Sequence, residues 1–98
     1  MIKHIVCFKL ADNSDNAKNE AKDILMSMEG KIPEIKGIEV GVDFLCSAKS
    51  YDVVLQVVLE DSNALEIYQN DKYHCDVVKA YIRNRATSSV VIDYEIWR

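Results

Sequence analysis

Apolar and polar positions alternate in four stretches of the chain and recur at helical spacing in two others. Over residues 2–10, Ile2, His4, Val6, Phe8 and Leu10 fall on one face of a strand and Ile5 and Cys7 on the other. Apolar residues on both faces mark a central strand covered on both sides. Residues 12–15 form a polar loop with helix-capping residues, and a helix follows to about residue 29, with Ala17, Ala21, Ile24, Leu25 and Met28 at helical spacing. Gly30 is a stop signal, and Pro33 and Gly37 mark the next loop. Ile38, Val40, Val42 and Phe44 alternate with polar or small residues, and a polar turn at 47–50 joins this strand to another over 51–59 as a hairpin. Ser62 is a candidate cap for a short helix holding Ala64, Leu65 and Tyr68, and Asp71 for a second piece carrying His74, Val77, Val78 and Tyr81. Residues 87–97 make the last strand.

The order β, α, β, β, α, β predicts an α+β domain of the ferredoxin-like type. Its four-stranded antiparallel sheet has the first and third strands at the centre and both helices on one face. The other face then carries Ile5, Cys7, Val90, Ile92 and Tyr94, and such an apolar patch calls for a cover. A second copy of the same sheet is the expected cover, giving a homodimer.

Composition narrows the function classes. The 98 residues, 49% hydrophobic and 29% charged, suit one globular domain spanning 1–98. A net charge of -4 is the wrong sign for a nucleic-acid footprint, and the third strand lacks the exposed aromatics with flanking basic residues of an RNA-recognition sheet. The three cysteines, Cys7, Cys46 and Cys75, form no CxxC pair and read as reduced thiols, and the two histidines make a poor metal-ligand set. No cofactor, no metal and no membrane partner are expected, and the localisation read from these features is cytoplasmic. Lys18, Glu20, Lys22 and Asp23 read as a solvated helix face, and Arg83 and Arg85 as charges that complement a helix end.

The run Ile2-Lys3-His4-Ile5-Val6-Cys7-Phe8-Lys9-Leu10, the segment Ile32-Pro33-Glu34-Ile35-Lys36-Gly37-Ile38, Tyr68 followed by His74, and the closing Val91-Ile92-Asp93-Tyr94 together resemble the stress-responsive A/B barrel (Dabb) family over essentially the whole chain. The resemblance implies a dimeric α/β barrel in which two ferredoxin-like subunits join sheet to sheet. Most members have no established activity. The family also includes a plant polyketide cyclase that performs an aldol condensation without metal or cofactor. Its catalytic tyrosine and histidine match Tyr68 and His74, and a pocket histidine matches His4. The chain departs from the cyclase at Asp52, where the cyclase has a histidine, and at Ala21 and Leu25, where it has aromatics. The resemblance therefore implies no polyketide substrate.

These readings place Tyr68 and His74 as candidate catalytic residues, His74 as a general base and Tyr68 as a donor to an oxygen gaining charge. His4, Val6 and Phe8 are expected to line a pocket between sheet and helices. Val77 and Val78 are expected there too, together with Asp52, Val54 and Gln56 if their face of the third strand looks toward the helices. Asp52 is then placed to orient a histidine, and Val53, Leu55 and Val57 fall on the open face. The plainer reading has His74 capping a helix and Tyr68 as core. Three functions stay open: a small-molecule binder of unassigned activity, a cofactor-free lyase, cyclase or monooxygenase-like enzyme, and a stress-protective or structural oligomer.

Overall fold

The computed structural model describes residues 1–96. Its elements are β1 (Ile2–Leu10), α1 (Asp15–Met26), β2 (Gly37–Val42), β3 (Val53–Leu59), α2 (Ser62–Asn70), a π-helical segment His74–Lys79 that runs directly into α3 (Ala80–Arg83), and β4 (Ala86–Glu95). The strands form one antiparallel sheet in the order β2-β3-β1-β4. This is the ferredoxin-like α+β arrangement. The expected last strand reached Trp97, which lies outside the described residues.

β1 sits inside the sheet, and its even-numbered side chains, Ile2 through Leu10, are all buried under the helices. Residues paired directly across an antiparallel ladder share a face. Val57 opposes His4, Leu55 opposes Val6 and Val53 opposes Phe8, so this row of β3 also faces the helices. Leu55 is 2% exposed. The expectation for β3 is thereby reversed: Val54 and Gln56 lie on the open face, opposite Cys7 and Ile5. Both rows of β3 are rich in apolar residues, so period-two patterning alone does not choose between them. The choice is made by depth, because the odd row from Val53 to Leu59 has no polar member whereas Gln56 interrupts the even row.

The helices and the turn after α1 complete the core with Leu25, Met28, Tyr68 and Val78, all nearly inaccessible. Ser14 caps α1, its hydroxyl accepting from Ala17 N–H at 3.2 Å. Asp61 caps α2, accepting from Ala64 N–H at 2.9 Å, one residue before the expected Ser62. α1 stops at Met26 rather than near residue 29. From Ser27 the chain tightens into three-residue turns, and Gly30, with φ of 82°, ends the segment in the left-handed region that glycine tolerates.

Lys18 departs from its expected place on a solvated face. It is 2% exposed, on the same side of α1 as Ala21 and Leu25. Its ammonium donates to the Asp43 carbonyl at 3.1 Å and lies 3.9 Å from Cys46 Sγ, which ties α1 to the loop after β2. Asp52 has a comparable tying role. Its carboxylate accepts from Leu10 N–H at 2.7 Å, and its own N–H donates to the Phe8 carbonyl at 2.8 Å.

The helices cover β3 and β1 and leave β4 bare. On the open face, β4 presents Val90, Ile92 and Tyr94, all exposed, beside half-buried Ile5, Cys7 and Val54. On the helix side Val91 is exposed as well. The helix-side row of β4 is otherwise polar, with Ser89, Asp93 and Glu95, so it is the open face of this edge strand that most needs a cover. None of the helices is long and apolar enough to cross a membrane among the described residues.

Candidate functional site

A cavity of about 360 Å³ opens between the bare helix-side face of β4 and the segment from α2 to α3. Its walls are mostly apolar, from Val6, Phe8, Leu55, Val78 and Val91, and its volume falls within the range of small-molecule sites. His4, Tyr68 and His74 form its inner end, and all three are buried.

His4 is placed by the centre of β1, and its partner comes from β4. The register sets Asp93 directly opposite His4, and the Asp93 carboxylate lies 2.5 Å from His4 Nδ1. An ionised carboxylate only accepts, so Nδ1 carries a proton, and in the neutral ring Nε2 holds the lone pair. Nε2 has no hydrogen-bond partner among the described residues, and none of their buried side-chain nitrogens or oxygens is left unsatisfied. Nε2 is therefore open to the cavity. A histidine whose far nitrogen is held by a carboxylate has a fixed tautomer and ring orientation, and the carboxylate stabilises the imidazolium once a proton is taken.

His74 is placed by a different device. After α2 the chain turns through Asp71, whose carboxylate accepts from Tyr73 and His74 N–H at 2.8 and 3.2 Å. The π-helical turn that follows brings His74 back over the end of α2, where its Nδ1–H donates to the Tyr68 carbonyl at 3.0 Å. Such widened turns are common at functional sites. His74 thus caps a helix and also keeps Nε2 free of protein partners, by the same reasoning as for His4. Burial holds its pKa below the ordinary 6.5, with the charge of Lys79, and of His4 when protonated, adding to the effect against the opposing Tyr68 carbonyl and Asp71. His74 is neutral at pH 7.

Tyr68 lies between the two histidines. Its ring stacks on His74 with centroids 4.4 Å apart and meets His4 edge-on at 5.8 Å. Among the described residues its hydroxyl reaches only Met28 Sδ, at 3.8 Å, and burial raises its pKa well above the ordinary 10.0, so it stays protonated.

The structure thus brings His4, Val6, Phe8, Tyr68, His74 and Val78 together around one cavity. Four of the expected pocket residues stand apart from it. Val54 and Gln56 are on the open face, Asp52 ties β1 to the hairpin, and Val77 is on the exposed side of the π-helical turn. The carboxylate that orients a histidine is Asp93; Asp52, expected in that role only if its face of β3 met the helices, instead accepts from Leu10 N–H. The missed signal is parity: Asp93 shares its row with Val91, so both fall on the side of β4 that meets His4. A larger recess of about 480 Å³ lies beside the start of α1. There the Tyr81 hydroxyl donates to Glu20 at 2.6 Å, and burial with the Glu20 charge pushes its pKa up to about 12. The Arg85 guanidinium covers the Tyr81 ring at 3.9 Å, so these polar groups already satisfy one another and offer no free base. Among the described residues no group of three or more His, Cys, Asp or Glu is placed to hold a metal ion.

A family model for the stress-responsive A/B barrel domain matches residues 2–96. Among solved structures, the chain is similar to a dimeric protein of unknown function with a ferredoxin-like fold from Bacteroides fragilis. The two share 24% identity over 97% of this chain and 95% of that one, with a TM-score of 0.81. It is also similar to a Dabb family protein with a ferredoxin-like fold from Mesorhizobium loti, at 20% identity, 99% and 97% coverage and a TM-score of 0.75. A hydroxynitrile lyase from Passiflora edulis is similar in fold at 15% identity, 97% and 92% coverage and a TM-score of 0.79. No curated protein matches. At these identities the solved structures speak for the fold alone.

The depressed pKa of His74 has a consequence for stability. The unfolded chain takes up the proton near pH 6.5 and the folded chain only below that, so the unfolded state binds more protons in between. Stability is full above pH 6.5 and is lost as pH falls. Urea unfolding at pH 7.5 and pH 5 should show a larger loss for wild type than for His74→Gln. Equal losses would mean that His74 is not held neutral by its site.

Proposed function

The chain belongs to the stress-responsive A/B barrel family, and we propose that it works as a homodimer whose subunits each bind a small, largely apolar molecule in the cavity between β4 and the helices and move a proton within it. The observation that carries this reading is the Asp93–His4 pair at 2.5 Å, whose free Nε2 faces an apolar cavity. A fixed base against a mostly apolar wall is a costly arrangement for packing alone and a suitable one for taking a proton from carbon or oxygen. In this account His4 Nε2 takes the proton and Asp93 steadies the resulting imidazolium. Tyr68, fully buried between the two histidines, backs both rings and holds them at the cavity. His74, neutral and stacked on Tyr68, holds that ring in place and offers a second lone pair to a donor on the ligand.

Proton transfer has a direct assay that needs no natural substrate. In deuterated buffer, aryl ketones and aldehydes exchange the hydrogens next to the carbonyl, and proton NMR follows the loss of signal. The wild type should accelerate exchange for at least one member of such a panel. His4→Gln should lose roughly 10²-fold or more of that acceleration, and Asp93→Asn should lose much of it while the fold is kept. Acceleration that survives His4→Gln would remove the base from this account.

The dimer rests on the bare open face. Val90, Ile92 and Tyr94 are about half exposed in the single chain, so covering what remains of each gains about 1 kcal/mol, and a two-fold axis counts every such side chain twice. Dimeric relatives such as the Bacteroides fragilis protein favour the same reading. Ile92→Asp should yield a folded monomer by sedimentation velocity, because the residue is 58% exposed in the single chain. Leu55→Asp, by contrast, should fail to fold, because its side chain is in the core. A dimer that survives Ile92→Asp unchanged would place the interface elsewhere.

A further inference from the structure

We infer that the ligand of this cavity carries a single carboxylate, seated at the rim by Arg83 and Lys79. The inference rests on the cavity reading above and adds to it the chemical class of the ligand. Lys79 and Arg83 both line the cavity. They are four residues apart on a continuous helical segment, so they stand one turn apart on the same side. Arg83 is exposed and Lys79 half-buried, whereas His4, Tyr68 and His74 are buried, so the two cations form the rim and the titratable groups the floor.

Neither cation has a counter-charge. No carboxylate lies within ion-pair distance of either among the described residues, in a chain with more acidic than basic residues. The nearby acids have other partners. Asp93 holds His4, Asp71 accepts from Tyr73 and His74 N–H, and Asp76 pairs with Lys72 at 2.8 Å. Lys79 Nζ donates to the Gln69 carbonyl at 2.9 Å, which fixes its position without neutralising it and leaves two of its three donors for a ligand. Arg83 makes no side-chain hydrogen bond among the described residues, and its planar fork suits a carboxylate. Between the rim and the histidines the wall is mostly hydrocarbon, from Val6, Phe8, Leu55, Val78 and Val91, so the body of the ligand is apolar. A multiply charged phosphate fits less well. No glycine-rich loop is present, and the helical end at the rim is a C-terminus, whose exposed carbonyls repel dense negative charge.

The test uses two probes of the same shape, 4-phenylbutanoate and 4-phenylbutanamide, titrated by calorimetry into the intact protein. The carboxylate should bind wild type roughly ten-fold tighter than the amide or better. That preference should disappear in the Lys79→Gln/Arg83→Gln double variant, which should weaken the carboxylate far more than the amide, and a Lys79→Gln/Arg83→Lys variant should recover part of it. Both probes should lose affinity in Val91→Trp, which places a bulky ring at the cavity wall. Equal affinities in wild type would overturn the carboxylate inference and leave the cavity reading intact. A preference that persists in the double variant would overturn the assignment to these two residues. No binding of either probe would overturn the cavity reading together with this inference.

Discussion

The pairing of β1 with β4 is the contact on which the site depends. These strands are the first and last elements of the chain, and their register brings residue 4 opposite residue 93 on the side of the sheet that faces the helices. Antiparallel register is set in steps of one residue, and a slip by one would turn Asp93 to the other face and leave His4 buried without its carboxylate. The ladder runs from Ile2 opposite Glu95 to Phe8 opposite Ser89 without interruption, and its only shift lies at the far end, between Lys9 and Leu10. The histidine–carboxylate pair is thus held by a long run of backbone hydrogen bonds. Loop residues play no part in it.

The same strand links the site to the interface. β4 is left uncovered on both sides because the helices are too few and too short to reach across all four strands. One bare side becomes the wall of the cavity through Val91, and the other offers Val90, Ile92 and Tyr94 to a partner. In the proposed dimer, covering the second side holds β4, and with it Asp93, against β1. Assembly and site geometry then depend on one edge strand, which accounts for a domain of this size keeping so much apolar surface where a lone chain has no use for it.

The strand and helix order was legible because each element carries a strong period and the loops carry clear stop signals. The limits of that reading are as physical as its successes. β3 is apolar on both rows, so its orientation depends on β1, and only the polar interruption at Gln56 hints at which row lies deeper. Lys18 reads as surface by residue type, yet its spacing to Ala21 and Leu25 puts it on the buried side of α1, where its long stem lets the ammonium reach a carbonyl. His4, Tyr68 and His74 were readable as candidates from residue type and family resemblance. Asp93 was not, because its role comes from a pairing across 89 positions of sequence, and no local pattern announces such a pairing. The cavity at Lys79 and Arg83 was hidden for a related reason: a helix-end charge looks ordinary until the wall opposite it is known.

The central claim is that Asp93 holds the proton on His4 Nδ1 and leaves Nε2 as a free base. Nitrogen-15 NMR of the imidazole side chains, recorded at a pH where both histidines are neutral, reports this directly, since protonated and unprotonated ring nitrogens resonate far apart and each shows a distinct coupling pattern to the ring hydrogens. The account predicts that His4 carries its proton on Nδ1, with Nε2 in the unprotonated range, and that this tautomer is lost in Asp93→Asn. A His4 signal protonated on Nε2 in the wild type, or one that Asp93→Asn leaves unchanged, would contradict it.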